Sequence, residues 1–155
     1  MKKNILVIDD DQVVLKTLAG TLKLEGYNVT IAQTGKEAIE KSNSRFFNLA
    51  LIDIRLPDME GTELLTAMKE TTPKMIKLIV TGYPALANAT EAINKGADGY
   101  IVKPVNMTTL LETVKEHLKK QQEAMKYSEE KVKEFIEARA EEYESRASAK
   151  GKQKK

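Results

Sequence analysis

Residues 5–12 read ILVIDDDQ, an aliphatic run that ends in three adjacent carboxylates. The apolar part is short and rich in branched side chains, which predicts a buried strand, and the acids mark its end. Like charges at this spacing repel each other, so the carboxylates either face a cation or hydrogen-bond donors, or point apart. The stretch therefore predicts a strand that carries acidic groups at its carboxyl end.

Four more stretches have strand character, and segments with helical spacing separate them. In chain order the five stretches are NILVID (4–9), YNVTIA (27–32), FFNLALID (46–53), MIKLIVT (75–81) and GYIVK (99–103). The runs LALID and LIV are apolar at consecutive positions, which is typical of strands covered on both faces. The alternation predicts an α/β fold in which helices cover both faces of a doubly wound five-stranded parallel sheet, in three layers.

The helices have matching start and stop signals. Asp11 is placed to begin the first helix as a cap or first-turn acid, Thr34 to cap the second, and Pro84 to occupy the first turn of the fourth. Gly26 and Gly96 follow the first and fourth helical patterns, where a glycine suits a left-handed cap.

The last helix is predicted to be unusually long, because residues 106 to about 148 contain neither glycine nor proline. Its first third has the apolar density needed to pack on a sheet. One heptad frame beyond residue 120 contains Met125, Val132 and Phe135, but also Gln121, Ser128, Arg139 and Glu142. Two interpretations stay open: a partial coiled coil, or a solvated helical extension supported by pairs such as Glu129 with Lys133 and Glu142 with Arg146.

Charge divides the chain into two parts. Residues 1–119 hold 15 basic and 15 acidic side chains, whereas residues 120–155 hold 10 and 8. We expect one domain over 1–119 and a charged helical extension over 120–155 with a disordered basic end. The balanced body argues against specific nucleic-acid binding. The chain has no cysteine and no stretch of 18 apolar residues, so we expect a cytoplasmic protein without a disulfide framework or membrane contact.

Polar side chains follow four of the predicted strands. Asp9 and Asp10 end the first, Asp53 the third, Thr81 the fourth and Lys103 the fifth. The carboxyl ends of parallel strands face the ligand crevice of an open α/β sheet, so these groups should converge. Clustered carboxylates without sulfur or histidine ligands suit Mg²⁺, and a carboxylate beside an ammonium and a hydroxyl suits phosphoryl transfer.

The motifs resemble those of a known family over roughly residues 3–119. The family is the receiver domains of two-component response regulators. Their acidic pair is similar to VIDDD (7–11), and their phosphoacceptor strand and loop are similar to LIDIRLPDMEG (51–61). Their threonine position is similar to that in IVTG (79–82), and their switch aromatic and lysine are similar to those in GYIVKP (99–104). The resemblance implies a flavodoxin-like, CheY-like sheet of order 2-1-3-4-5, extended here by the long last helix.

The resemblance also implies roles for individual residues. Asp53 is then the phosphorylated residue. The implied Mg²⁺ ligands are Asp10 directly, Asp9 through water, Asp53, and the backbone carbonyl of Arg55. The resemblance implies that Thr81 and Tyr100 move together on phosphorylation and that Lys103 pairs with the phosphoryl group. It also implies that the peptide bond before Pro104 is cis. The side chains of Arg55 and Tyr83 stand where they could overhang the phosphoryl group, so we expect slow loss of phosphate.

The implied function is that of a phosphorylation-activated response regulator in a phosphorelay. It would receive a phosphoryl group from a sensor histidine kinase and act on an unidentified downstream protein, with a homodimer through the last helix as a further option. It would be no enzyme beyond catalysing its own phosphorylation and dephosphorylation. The 36 residues after Lys119 are too few for a helix-turn-helix or a similar effector fold.

Two rival interpretations remain. DDDQV (9–13) also fits the nucleophile motif of haloacid-dehalogenase-like phosphatases, with Asp9 and Asp11 as the paired acids. The residues after Lys103 lack the further acidic pair of that family, and Asp53 would have no role. His117, the only histidine, faintly resembles a phosphotransfer histidine, but a lone surface histidine is the simpler interpretation.

Overall fold

A computed structural model describes residues 2–82 and 85–153 of the chain. The predicted first-turn role of Pro84 and the predicted overhang of Tyr83 lie outside the described residues. The strands are β1 (Asn4–Ile8), β2 (Asn28–Ala32), β3 (Leu49–Ile52), β4 (Ile76–Thr81) and β5 (Gly99–Val102). The helices are α1 (Gln12–Leu24), α2 (Gly35–Ser44), α3 (Gly61–Ala67), α4 (Leu86–Asn94) and α5 (Met107–Gln153).

The five described strands form one parallel sheet in the order β2-β1-β3-β4-β5, which confirms the predicted topology. Every residue of β3 and of β4 is buried. The apolar runs LALID and LIV predict this for β3 and the middle of β4, whereas Lys77 and Thr81 are buried polar residues of β4. Parallel neighbours need a crossover connection, and the helices supply it.

Successive side chains of a strand point to opposite faces, so the sheet builds two separate apolar layers. On one face Ile5, Val7, Leu49, Leu51, Leu78 and Val80 pack with side chains of α1 and α5. On the other face Leu6, Ile8, Ala50, Ile52 and Ile79 pack with side chains of α2, α3 and α4. The three predicted layers are therefore present.

Local signals set the helix ends as expected. The Asp11 carboxylate accepts hydrogen bonds from the backbone N–H groups of Val13 and Val14 and is the N-cap of α1. Thr34 is the N-cap of α2. Gly26 and Gly96 have φ values of 95° and 102°, a left-handed conformation that glycine adopts without strain.

The chain separates into two compact units, Met1–Lys119 and Lys120–Lys155. In the second unit the described backbone is helical, and Arg146 pairs with Glu142 at 2.7 Å as predicted. Lys133 pairs with Glu137 at 3.9 Å, not with Glu129, which corrects that prediction. Disorder of the basic end stays a prediction, and the last two residues of that end lie outside the described residues. Among the described helices, none is both long and apolar enough to cross a bilayer.

Candidate functional site

Strand register brings Asp9 and Asp53 to the same edge of the sheet. Ile8 of β1 pairs with Ile52 of β3, and each aspartate directly follows its strand. The Asp53 N–H donates to the carbonyl of Ile8 at 2.9 Å, which carries the pairing one residue past the strand. Both aspartates are buried, whereas Asp10 is exposed. Two buried carboxylates are thus held side by side by backbone geometry.

The three acids Asp9, Asp10 and Asp53 form a cluster in which one oxygen from each lies within 4.8 Å of the others. A set made only of carboxylate oxygens, two of them buried, fits a hard divalent cation such as Mg²⁺ or Ca²⁺. The backbone nitrogen of Arg55 lies 3.5 Å from Asp53 Oδ1, so the chain turns past the cluster directly after β3. The residues present therefore fit a divalent ion.

Lys103 supplies the positive charge of the site. Its backbone N–H donates to the carbonyl of Thr81 at 2.8 Å, which extends the pairing of β4 with β5. Its ammonium lies 2.7 Å from Asp9 Oδ2 and 3.6 Å from Asp53 Oδ2. The peptide bond between Lys103 and Pro104 is cis, and so is the bond between Thr72 and Pro73, which was not predicted from the sequence.

The electrostatics of the site oppose ionisation of the Asp53 carboxyl. Burial, followed by the charge of Asp9, raises the pKa of Asp53 to about 6, although Lys103 and the Arg55 N–H act in the opposite direction. Burial acts to lower the pKa of Lys103, but its bonds to Asp9 and Asp53 raise it above its usual value. Among the described residues, the three clustered acids therefore contain more negative charge than the Lys103 ammonium balances.

Thr81 and Tyr100 lie at different depths along the neighbouring strands. Thr81 is the last residue of β4, is fully buried, and is in register with Val102. Tyr100 is in register with Ile79, two pairs away from that end, and is half-buried against the α2–α4 side of the sheet. Thr81 thus shares the carboxylate edge, whereas Tyr100 lies nearer the start of β5.

The loop after Asp53 contains two residues whose roles were not predicted from the sequence. A Cβ atom on Gly61 would collide with the carbonyl oxygen of Asp53, and the Gly61 N–H donates to Ile54 O at 2.6 Å. Asp58 accepts hydrogen bonds from the N–H groups of Gly35 and Lys36 at 2.8 and 2.9 Å, which lowers its pKa. The loop is thereby tied to the start of α2. Only the turn signal in LPDMEG indicates these residues.

The rival interpretations find little support. The Asp11 carboxylate is used as a helix cap, so it does not join Asp9 as the second acid of a phosphatase motif. His117 is half-buried and not on the open surface, and its Nδ1 lies 2.8 Å from the carbonyl oxygen of Thr113. The phosphatase alternative is not favoured.

Comparison with known proteins agrees with this geometry. The family model described as the response regulator receiver domain matches residues 5–115. A receiver domain protein (CheY-like) from Methanospirillum hungatei JF-1 is 49% identical, has a TM-score of 0.77, and is matched over 80% of this chain and 99% of its own. A response regulator from Burkholderia pseudomallei, solved with a phosphorylated aspartic acid, calcium ion and citrate, is 31% identical with a TM-score of 0.67 and coverage of 79% and 72%.

The curated relatives that match first are longer than this chain. The transcriptional regulatory protein ZraR of Klebsiella oxytoca is 38% identical over 115 residues, which are 74% of this chain and 26% of that protein. The chain thus spans about a quarter of the length of the curated relatives that it matches first. With its sheet order and acidic pocket, the chain belongs to the receiver domain family of two-component response regulators.

Proposed function

We propose that Asp53 accepts a phosphoryl group from the phosphohistidine of a sensor histidine kinase. A carboxylate oxygen of Asp53 forms the new bond to phosphorus, the bond from phosphorus to the histidine nitrogen breaks, and the freed nitrogen takes up a proton. The observation that carries this proposal is the placement of Asp53 between two acids and one ammonium. The same arrangement matches what phosphoryl transfer needs, since positioning and charge neutralisation dominate that reaction.

We propose that the pocket works with Mg²⁺. Asp9, Asp10, Asp53 and the backbone carbonyl of Arg55 are the groups that would hold the ion, which would supply positive charge for the phosphoryl oxygens. The support is the all-oxygen donor set and the excess of negative charge around Asp53.

The other proposed roles belong to the strand-end residues. Lys103 releases part of its interaction with Asp9 and pairs with the phosphoryl oxygens, because its ammonium already lies 3.6 Å from Asp53. The Thr81 hydroxyl donates to a phosphoryl oxygen, and Tyr100 changes its packing when Thr81 moves. Slow loss of phosphate is proposed from Arg55, whose side chain is exposed and whose backbone nitrogen lies 3.5 Å from Asp53 Oδ1.

The proposed output is a change in a protein-binding surface formed by α4, β5 and the start of α5. The partner is an unidentified downstream protein, and a second copy of this chain binds through the last helix. The chain acts on no substrate besides its own Asp53, works in the cytoplasm, and uses neither specific nucleic-acid binding nor a membrane. The equal numbers of acidic and basic side chains in residues 1–119 support the absence of specific nucleic-acid binding.

The test is phosphorylation by a small phosphodonor such as acetyl phosphate with Mg²⁺, followed by intact mass. Wild type should gain one phosphoryl group, and Asp53→Asn should gain none. Asp58→Asn is the matched control, because Asp58 is a nearby aspartate that lies outside the acidic cluster. A mass gain retained in Asp53→Asn would overturn the site, and steady turnover of an aryl phosphate would overturn the non-enzyme proposal.

A further inference from the structure

The second unit carries an apolar face that is exposed along its whole length. Met125, Val132, Ile136 and Tyr143 of α5 are 44%, 57%, 60% and 75% exposed. Their spacings of seven, four and seven residues place them within about 40° of one direction around a helix of 3.6 residues per turn. Large apolar side chains aligned on one helix face are the pattern of a helix that packs against another element.

Two charged residues interrupt this face at heptad positions. With Ile136 and Tyr143 as a positions and Met125 and Val132 as d positions, Glu129 and Arg139 fill the remaining a and d positions between them. This register differs from the frame that includes Phe135. It leaves a seam of four apolar residues, one acid and one base, and the order of these six decides how two copies could pair.

A parallel dimer would place each core residue against itself. Glu129 would meet Glu129 of the second copy, and Arg139 would meet Arg139 of the second copy, so both charged layers would be repulsive. In an antiparallel dimer, a positions lie opposite d positions. A two-fold axis near Glu134 then sets Glu129 against Arg139 of the second copy, so that both charged layers become ion pairs.

The same two-fold axis also aligns the apolar residues. Met125 lies opposite Tyr143 of the second copy, and Val132 lies opposite Ile136, because the spacing of seven, four and seven is identical in both directions. Each of these contacts occurs twice in a symmetric dimer, since such an interface uses the same patch on both subunits. This face is complementary to a second copy of itself running in the opposite direction. Binding to an unrelated partner would not require that property, so a second copy of the chain is the partner that fits.

We propose that residues 122–146 of two copies pair as an antiparallel coiled coil with its two-fold axis near Glu134. This inference rests on the proposed dimerisation through the last helix and adds its face, direction and register. In the single chain Arg139 lies 3.6 Å from the carboxylate of Glu142 and over the ring of Phe135. On dimerisation its guanidinium leaves Glu142 and pairs with the carboxylate of Glu129 of the second copy. The core from Met125 to Tyr143 is about 27 Å long, so the dimer is small and concentration-dependent.

Direction is tested by cross-linking the full chain, which has no native cysteine. Met125→Cys and Tyr143→Cys variants, mixed and oxidised in a glutathione buffer, should give the mixed disulfide dimer in preference to either homodimer. In the antiparallel pair two copies of position 125 are about 27 Å apart, beyond the reach of a disulfide. Glu130→Cys, on the opposite face, is the background control. Preferred 125–125 and 143–143 homodimers would overturn the proposal.

Register is tested by exchanging charges, with sedimentation read over a range of concentrations. Glu129→Arg and Arg139→Glu, each alone, create like-charge layers in the antiparallel pair and should weaken dimerisation on the order of tenfold or more. The double exchange restores opposite charges and should dimerise like wild type, whereas Glu130→Arg should change little. Circular dichroism checks that each variant stays helical.

The outcomes separate the two proposals. A wild-type chain that stays monomeric at every concentration ends both the dimer and its register. If the dimer forms but its dissociation constant is unchanged by Glu129→Arg and by Arg139→Glu, the register is overturned and the dimer proposal stands. Phosphorylation of Asp53 is measured in the other unit by mass, so its result does not depend on either outcome.

Discussion

The Lys103 ammonium lies 2.7 Å from the Asp9 carboxylate, although 94 positions separate these residues along the chain. Asp9 is almost completely buried, so the pair joins the carboxyl ends of β1 and β5 in a place that water reaches poorly. Because Asp53 is 3.6 Å from the same ammonium, one cation restrains two acids.

Replacement of Lys103 by methionine should destabilise the protein when no divalent ion is present. Removing one partner of a largely buried pair leaves an uncompensated charge and is expected to cost about 3 kcal/mol. Lys115→Met is the control, since the Lys115–Glu25 pair at 3.3 Å is exposed and should contribute roughly 0–1 kcal/mol. Urea denaturation with a chelator at pH 7.5 measures both, and equal losses would contradict the role of Lys103.

Replacement of Asp53 by asparagine should stabilise the ion-free protein in a pH-dependent manner. The pKa of Asp53 is about 6 in the folded chain and near 3.9 in the unfolded chain, so between these values the folded state holds more protons. The free energy of unfolding of wild type therefore falls as pH rises through this window, and stays low above it. The neutral amide of the variant has no such titration.

The advantage of Asp53→Asn over wild type should thus be smallest near pH 4 and grow to on the order of 1–3 kcal/mol above pH 6. Urea denaturation at pH 4, 5, 6 and 7.5 with a chelator gives the difference at each pH. A difference that is constant across this range would show that Asp53 does not titrate as proposed.

Mg²⁺ should stabilise the folded chain through the acidic cluster. At ten times its Kd the ion should add about 1.4 kcal/mol to the free energy of unfolding. Asp10→Asn should remove most of this gain, because Asp10 is one of the three clustered acids and its exposure lets the variant fold. Glu112→Gln, an exposed acid on α5, should keep the gain. The measurement is the unfolding temperature of wild type, Asp10→Asn and Glu112→Gln at a series of Mg²⁺ concentrations.

Alanine at Gly61 should destabilise the loop that follows Asp53. The added Cβ would collide with the carbonyl of Asp53 and lie 2.9 Å from Ile54 Cα, so the backbone of Asp53 would have to move, at a cost of about 1–3 kcal/mol. Gly20→Ala is the matched control, because it has open space inside α1 and should gain roughly 0.5–1 kcal/mol. Denaturant unfolding compares the two variants directly.

Arg55→Ala should shorten the lifetime of the phosphorylated state. The Arg55 side chain is exposed, and its backbone nitrogen lies 3.5 Å from Asp53 Oδ1. Under the proposed function the side chain hinders the hydrolytic water, so its loss should speed the release of phosphate severalfold. Loss of the phosphoryl mass is followed over time in wild type and variant, with Glu112→Gln as a control. Equal rates would contradict this role.

The sequence by itself determined the elements and their order. The apolar runs LALID and LIV predicted β3 and the core of β4 as buried strands, and Asp11, Thr34 and Gly26 predicted the ends of two helices. These features could be predicted because they depend on local periodicity and on hydrogen bonds between residues close in the chain. The sequence also predicted that the strand-end acids lie close together, because parallel strands present their carboxyl ends at one edge of the sheet.

Only the tertiary structure decided which groups touch. Asp58 caps α2 from a loop more than 20 residues away, and Lys77, in the middle of an apolar strand pattern, is buried with its ammonium 2.7 Å from the carbonyl of Leu65. Burial lowers the pKa of Lys77 and raises that of Asp53. Such contacts and shifts depend on distances set by packing between elements, and the spacing of residues along one strand or helix does not contain them.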